Sequence, residues 1–282
     1  MPSLPELGYE MSLVVGIWGS DKTGKSSVAL TFPKPMLYME FDLGGYDRAK
    51  YGYNGMEVAP RDLEASGDIV VMRYVVPMQG VIAGATVKPS KIIVGVKELW
   101  YKFLGDYINE FLSNPRFITG VFDTGTLLWE MDHTAYLQEK QEIQLDPQGN
   151  LKPNERLRVS LKGVEYREPN IRMRGLVYHA RVQDKNLVLT HHSRDEYKPM
   201  FNATTGALED TKTGKRERAG FGSLGDGTDW MVHTTRDKDG FHGLMDEGSV
   251  PDCVVGTVVN NPTYDGIMSA VDMALGRRNS DS

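Results

Sequence analysis

The amino-acid sequence predicts an α/β fold in which a mostly parallel central sheet is flanked by helices and carries an antiparallel hairpin at one edge. Short apolar runs rich in β-branched residues alternate with stretches of helical periodicity, which is typical of a parallel sheet covered by helices on both faces. Near the C-terminal end, two strand-like runs flank Lys238, Asp239 and Gly240, a turn sequence that indicates a hairpin. We expect one domain over residues 1–276 and a disordered polar tail over 277–282.

The predicted strands are short and apolar, and turn residues or polar side chains end them. They cover residues 12–18, 35–41, 68–76, 116–124 and 186–192, followed by the two hairpin strands within 229–246. The predicted helices cover residues 27–32, 97–112, 127–143, 171–183 and 265–275. We expect a hairpin or an irregular loop at 80–96, a hairpin or a protruding loop at 196–222, and a mobile loop in the polar, proline-containing segment 144–174.

The composition restricts the classes of function. The formal net charge is −6, so the protein does not coat nucleic acid through bulk charge, and any such contact has to use a local basic patch. Cys253 is the only cysteine, which excludes an intrachain disulfide and fits a reducing cytoplasm. The sequence has no apolar run of membrane-spanning length and no secretory signal pattern at its start. We therefore expect a cytoplasmic protein without membrane contact.

The stretch GSDKTGKSS at 19–27 matches the pattern G-x-x-x-x-G-K-[ST] and lies between a predicted strand and a predicted helix. Glycines let backbone N–H groups turn inward around a phosphate, and the helix presents its positive end to the same anion. A surface turn with an exposed lysine is the alternative, and the strand–loop–helix setting favours the phosphate cradle. The candidate phosphate-binding residues are Gly19, Ser20, Asp21, Lys22, Thr23, Gly24, Lys25, Ser26 and Ser27.

Asp123 ends the apolar strand FITGVFD, where an aspartate can help Ser26 to hold Mg²⁺ beside bound phosphates. Thr124 next to it can position a water molecule. The alternative role for Asp123 is an N-cap of the helix that follows, since aspartate is a common capping residue.

Further polar groups end two other predicted strands. Glu40 and Asp42 end the second strand, which we expect beside the phosphate loop. Alternation places both carboxylates on one side, where either can act as the base that polarises an attacking water. A solvated strand end with a turn aspartate is the alternative. His191 and His192 close a later strand, where one of them can contact the terminal phosphate or simply be a satisfied polar group.

In this order of motifs the chain resembles the RecA-like P-loop ATPases. It is most similar to the phage-encoded nucleotide-binding group that acts in single-strand annealing or recombination. The likeness spans about residues 13–244 and is carried by GSDKTGKS, YMEFDLGG, VFDT, LVLTHH and the late hairpin. It implies a RecA-like P-loop NTPase core that binds ATP and Mg²⁺. Residues 19–27 would be the phosphate loop, Asp42 or less directly Glu40 the acidic residue, Asp123 the metal ligand and His192 the γ-phosphate sensor.

The resemblance also implies partners. Members of the family assemble side by side as rings or filaments, with a basic residue of one subunit reaching the next subunit's nucleotide. Lys215, Arg216 and Arg218 are candidates for that role, unless they form only a solvated basic loop. Single-stranded DNA would lie on the basic residues of 144–174, with Tyr166 stacking on a base. These basic residues are Lys152, Arg156, Arg158, Lys162, Arg167, Arg172 and Arg174.

Three functions follow from these features. The first is an ATPase that acts on single-stranded DNA in phage-type recombination, annealing or replication, in the cytoplasm of a bacterial host. The second is a small-molecule kinase that uses 144–174 as a lid. The third is an assembly or scaffold protein that binds ATP without significant turnover.

Overall fold

The computed structural model describes residues 12–53, 56–77, 79–83, 86–201, 206–248, 254–274 and 276. The tail predicted at 277–282 and the single cysteine, Cys253, lie outside these residues. None of the helices in the described part of the chain has the length and apolar character to span a membrane.

The described residues form strands and helices in alternation. The strands are β1 (Val14–Gly19), β2 (Met36–Glu40), β3 (Ile69–Arg73), β4 (Gly80–Ala83), β5 (Thr86–Pro89), β6 (Thr119–Asp123), β7 (Asn186–Phe201), β8 (Leu208–Arg218), β9 (Trp230–Asp237), β10 (Gly240–Gly248) and β11 (Val258–Asn260). The α-helices are α1 (Lys25–Ala29), α2 (Gly45–Ala49), α3 (Pro60–Ser66), α4 (Val96–Asp106), α5 (Gly125–Gln144), α6 (Arg167–Val182) and α7 (Tyr264–Ala274). A π-helical turn over Tyr107–Leu112 extends α4.

The central sheet has nine strands, eight of them in the order β11-β10-β9-β1-β7-β6-β2-β3, and β8 pairs with β7. The strands from β9 to β3 in this order run parallel, whereas β10 and β11 add to the β9 edge in antiparallel pairing. The predicted α/β class, the mostly parallel sheet and the antiparallel hairpin at one edge are therefore confirmed.

Two apolar cores cover the two faces of the sheet, because side chains alternate along each buried strand. In β1, Val14 packs into the core that α4, α5 and α6 cover. Val15 and Ile17 pack into the core on the opposite face, which α1 and α7 cover. The alternation in β1 thus places helices on both sides of the strand that leads into GSDKTGKSS.

The order of the strands corrects one expectation. We predicted that the second strand lies beside the strand of the phosphate loop, but β1 pairs with β7 and β9. The later strands β6 and β7 lie between β1 and β2. Pairing between strands so distant in the sequence leaves no local signal. Because the intervening strands are parallel, the carboxyl ends of β1 and β2 nevertheless face the same edge of the sheet.

The segment 144–174 differs from its prediction as a mobile loop. Its last part is the start of α6, and Pro169 lies in the first turn of that helix, where the missing N–H costs nothing. The preceding part is fixed to the end of α5: Gln141 Nε2 donates to Arg158 O at 2.6 Å, and Arg158 N donates to Gln144 Oε1 at 2.9 Å. The prolines that suggested a loop are therefore compatible with an ordered segment.

The predicted hairpins are present. β4 and β5 pair as a separate two-stranded antiparallel sheet within 80–96. β7 continues beyond the central sheet and pairs with β8 from Ser193 and Arg218 to Phe201 and Leu208, forming a long antiparallel hairpin that begins three residues before the predicted segment 196–222.

Candidate functional site

The stretch 19–27 connects the end of β1 to the first turn of α1 and needs both of its motif glycines. A Cβ at Gly19 would lie 2.3 Å from the carbonyl oxygen of Thr234 on β9, so no larger residue fits there. Gly24 has a φ of 89°, a conformation that favours glycine, and it is the N-cap of α1. The loop thus passes close to β9 at Gly19 and, at Gly24, turns directly into a helix N-terminus.

The side chain of Lys25 is buried inside this loop. Its Nζ donates to the carbonyl oxygens of Gly19 at 3.0 Å and Ser20 at 2.7 Å. Burial lowers the pKa of Lys25, and the nearby charges of Asp21 and Asp123 oppose that shift. A cationic donor is therefore held where the loop folds back on itself, next to the start of α1.

The carboxylate of Asp123 is buried at the end of β6 and accepts hydrogen bonds from three hydroxyl groups. Ser26 Oγ donates to Oδ2 at 2.8 Å, Tyr38 Oη donates to the same oxygen, and Thr190 Oγ1 donates to Oδ1. Burial raises the pKa of Tyr38 well above its ordinary value, and the charge of Asp123 adds to the shift. Tyr38 is therefore a protonated donor to the carboxylate.

Thr124, and not Asp123, caps the helix α5 that follows. Thr124 is the N-cap of α5, and its side chain accepts a hydrogen bond from Leu127 N at 3.2 Å. The hydroxyl for which we predicted a water-positioning role thus caps the helix, while the carboxylate of Asp123 faces Ser26.

The two acidic candidates after the second strand have different surroundings. Glu40 is fully buried: its Oε2 accepts from Arg73 Nε at 2.7 Å, and its Oε1 accepts from Tyr46 N at 2.9 Å. Asp42 lines the cavity beside the loop, and Glu40 does not. We predicted both carboxylates on one side from strand alternation, but β2 ends at Glu40, so the alternation does not extend to Asp42.

The two adjacent histidines, His191 and His192, also have different surroundings. His192 lines the cavity, with Nδ1 3.6 Å from Asp21 Oδ1 and Nε2 3.7 Å from Asp42 Oδ2. His191 is fully buried, and burial together with the charge of Arg218 lowers its pKa well below its ordinary value. Its ring leaves no room for a side chain at Gly125, where a Cβ would lie 2.7 Å from Cε1. Of the two, His192 is thus the one that can meet a ligand.

The cavity has a volume of about 730 Å³ and collects most of the predicted site residues. Those that line it are Asp21, Lys22, Thr23, Gly24, Lys25, Ser26, Ser27, Asp42, Asp123 and His192. Gly19, Ser20 and Glu40 are not on its surface. Sequence reasoning missed Gly45, Arg48 and Ala49 of α2 and Arg236 and Phe241 of the β9–β10 hairpin, which also line it. Gly44 and Gly45 after the second strand signalled a turn, but no local pattern pointed to Arg236 or Phe241.

The basic residues of the β8 strand lie outside this cavity but connect to the loop. Arg216 Nη2 donates to Ser193 Oγ at 2.8 Å, and that hydroxyl is hydrogen-bonded to Ser20 Oγ at 3.2 Å. Arg218 Nη1 donates to Phe221 O at 2.8 Å. Lys215 and both arginines line a second cavity of about 640 Å³, together with Trp18 and His233.

Several candidate DNA contacts in 144–174 are engaged within the chain. Arg158 forms an ion pair with Glu165, and Arg172 Nη2 lies 3.1 Å from Glu139 Oε2. The Tyr166 ring packs against the Trp129 ring, with the ring centres 6.1 Å apart. These contacts reduce the part of the predicted basic surface that is available to a polyanion.

No protein-family model matches the chain, and no curated protein sequence matches it. Within the described ranges, no three His, Cys, Asp or Glu side chains come together as a metal site.

Proposed function

We propose that this protein is a RecA-like P-loop ATPase that binds ATP with Mg²⁺ in the cavity beside residues 19–27. The observation that carries the proposal is the convergence of Lys25, Ser26, Asp42, Asp123 and His192 on one cavity at the carboxyl edge of a parallel sheet. Ligands bind at this edge in open α/β sheets. The resemblance of the motif order to the RecA-like ATPases supports the same function.

The loop fits a phosphate chain. The loop ends at Gly24, the N-cap of α1, so the N-terminus of this helix follows the motif directly, and a helix N-terminus favours an anion. Lys25 is a buried cation whose hydrogen-bond partners are loop carbonyl oxygens, and phosphate oxygens are stronger acceptors for an ammonium group. We expect Lys25 to exchange these carbonyl oxygens for the β- and γ-phosphates.

Ser26 and Asp123 fit a magnesium ion. Mg²⁺ prefers oxygen ligands and is usually held by one or two protein groups together with substrate phosphates, so it needs no cluster of several carboxylates. The Ser26 hydroxyl and the Asp123 carboxylate lie 2.8 Å apart on the cavity surface. When bound there, Mg²⁺ would neutralise charge on the phosphates.

Asp42 and His192 are the groups proposed to act on the attacking water. Asp42 lines the cavity and can accept a proton from water, whereas Glu40 is already occupied by Arg73 and two backbone N–H groups. His192 lies between Asp21 and Asp42, where it can contact the terminal phosphate. The structure therefore favours Asp42 over Glu40 as the base.

We propose further that the ATPase acts on single-stranded DNA as a homo-oligomer, in phage-type recombination, annealing or replication. Its support is the resemblance, together with Arg216 of β8, which reaches the phosphate loop through Ser193. The alternative function, a kinase, would use segment 144–174 as a lid that opens and closes. Hydrogen bonds between the backbone of this segment and Gln141 and Gln144 of α5 argue against such a movement.

The test is ATP turnover with Mg²⁺, measured with and without single-stranded DNA, alongside the mass of the protein with and without nucleotide. We expect turnover that rises with DNA and falls at least about 100-fold in Lys25→Ala, because the variant loses a charged contact to the phosphates. Lys102→Ala, which removes an exposed lysine of α4, is the matched control and should retain turnover.

Full turnover in Lys25→Ala would remove the proposed hydrolytic site. Turnover that rises with a small-molecule phosphoryl acceptor and not with DNA would favour the kinase. Nucleotide-dependent assembly without turnover would favour the scaffold protein.

A further inference from the structure

The cavity continues past the phosphate loop to the tip of the β9–β10 hairpin, where Arg236 and Phe241 line it. The two residues are direct partners in the β9–β10 ladder. The guanidinium carbon of Arg236 lies 4.8 Å from the centre of the Phe241 ring. This arrangement is a stacked cation and aromatic ring on the wall of the cavity.

The platform formed by Arg236 and Phe241 is held in place from two sides. The Phe241 ring lies against Gly24, where a Cβ would come 3.0 Å from Cδ1. On its other side the ring meets Tyr53, with the ring centres 5.3 Å apart and the planes at 63°. Since Gly24 is the N-cap of α1, the platform lies directly beside the predicted phosphate position.

The charged groups on the cavity wall are of both signs. Three carboxylates line it in the described part of the chain: Asp123 bonds Ser26, and Asp21 and Asp42 face His192. Arg236 and Phe241 on the hairpin, with Arg48 and Ala49 of α2, add cationic, aromatic and apolar surface. A triphosphate fits the loop with Lys25, so the base of the same nucleotide has to meet another part of the wall, and the platform offers it a flat surface.

Resting on the proposed function, we infer that Arg236 and Phe241 form a purine subsite that binds the ring by stacking and does not select between adenine and guanine. Every base has a π-face, so stacking tolerates both purines. Guanidinium groups only donate hydrogen bonds, and adenine and guanine both offer ring-nitrogen acceptors. Selection of guanine would need an acceptor for its N–H groups, and the three carboxylates that line the cavity face Ser26 and His192 instead. The substrate class is therefore purine nucleoside triphosphates.

The test is calorimetric binding of four probes to the full chain with Mg²⁺: non-hydrolysable ATP, GTP and CTP analogues and inorganic tripolyphosphate. We expect the two purine analogues to bind within about threefold of each other and at least about tenfold more tightly than tripolyphosphate, because stacking adds to their affinity. The CTP analogue has a smaller ring and should bind more weakly than both purine analogues.

Two variants and a control test the residues. Arg236→Ala and Phe241→Leu should each weaken both purine analogues about tenfold and leave tripolyphosphate binding unchanged. Lys238→Ala removes an exposed cation two residues from Arg236 and should change none of the affinities. If Phe241→Leu also loses tripolyphosphate binding, the substitution has disturbed the packing of residue 241 on Gly24. The affinities of Arg236→Ala then decide whether the subsite exists.

Four results would overturn the subsite. For the unmodified chain, they are purine analogues that bind no more tightly than tripolyphosphate, or a preference of more than about 30-fold for one purine. For Arg236→Ala, they are unchanged affinities for the purine analogues, or a loss of affinity for tripolyphosphate. The last result would assign Arg236 to the phosphates. If tripolyphosphate and all three nucleotides fail to bind the unmodified chain, the proposed function fails, and this inference fails with it.

Discussion

Ser26 and Asp123 are joined by a hydrogen bond of 2.8 Å although 97 positions separate them in the sequence. The bond links the first turn of α1 to the carboxyl end of β6. It fixes a hydroxyl and a carboxylate side by side on the cavity wall. A ligand pair that is already assembled loses little conformational entropy when a cation arrives.

The first prediction concerns the three hydroxyl donors to Asp123. In Asp123→Asn the new amide group replaces one acceptor oxygen, so at least one buried hydroxyl among Ser26, Tyr38 and Thr190 loses its partner. We expect the free energy of unfolding in urea to fall by about 2 kcal/mol. Turnover should fall by at least about 100-fold because the metal ligand loses its charge.

Tyr38→Phe is the matched control, since it removes one donor and keeps the carboxylate. It should cost about 1 kcal/mol of stability and keep most of the turnover. A Tyr38→Phe variant as inactive as Asp123→Asn would show that the hydroxyl, rather than the carboxylate charge, is essential.

The second prediction separates Glu40 from Asp42. Glu40→Gln breaks the ion pair with the half-exposed Arg73 and should lower the free energy of unfolding by about 1–2 kcal/mol, with turnover reduced only modestly. Asp42→Asn should leave stability nearly unchanged and reduce turnover by about 100-fold, because Asp42 lines the cavity. Urea unfolding and steady-state turnover of both variants are the measurements. The reverse pattern would assign the base to Glu40.

The third prediction concerns Asp132, a fully buried residue of α5. Burial raises the pKa of Asp132 to about 8, and the charge of Arg172 opposes that shift. In the unfolded chain an aspartate titrates near about 4, so between pH 4 and 8 the folded state binds more protons than the unfolded state. The contribution of Asp132 to the free energy of unfolding is therefore present at low pH and is lost as the pH rises toward 8.

Asp132→Asn removes this titration. The stability of the variant relative to the unmodified chain should therefore rise from pH 5 to pH 8 in urea unfolding. Asp184→Asn replaces an exposed aspartate and serves as the control, with no change expected in the pH profile. If the free energies of unfolding of the unmodified chain and Asp132→Asn change with pH in parallel, the raised pKa of Asp132 is contradicted.

The fourth prediction tests the ordered state of the segment after α5. Gln141 is buried, accepts from Ile93 N at 2.8 Å, and donates to Lys91 O at 2.8 Å and Arg158 O at 2.6 Å. Gln141→Leu leaves these backbone groups without a partner and should release the segment. We expect faster limited proteolysis by trypsin after Arg156 and Arg158 in the variant. Equal cleavage rates in the variant and the unmodified chain would support the original prediction of a mobile loop.

The part of the site that lies in one continuous stretch was predictable from the sequence. β1, the loop and α1 follow one another, and Gly24 carries a signal that depends only on local geometry. Asp123 was predictable for the same reason, since it ends an apolar strand. The strand prediction failed locally at Asp42, where β2 had already ended and side-chain alternation no longer applied.

The other residues of the site reach the cavity through pairing between strands that are distant in the sequence. Arg236 and Phe241 reach the cavity because β9 pairs with β1, and nothing near either residue in the sequence indicates that pairing. The position of β7 between β1 and β6 likewise determines which of the two histidines faces the cavity. Such contacts are tertiary, and local patterns do not contain them.

The most direct test of the central claim is a crystal structure of the protein with Mg²⁺ and a non-hydrolysable ATP analogue. We expect the triphosphate inside the loop at 19–27, the metal beside Ser26 and Asp123, and the Lys25 ammonium moved from the carbonyl oxygens of Gly19 and Ser20 to the phosphates. A nucleotide bound elsewhere, or an empty loop at saturating nucleotide with Lys25 still on those carbonyls, would contradict it.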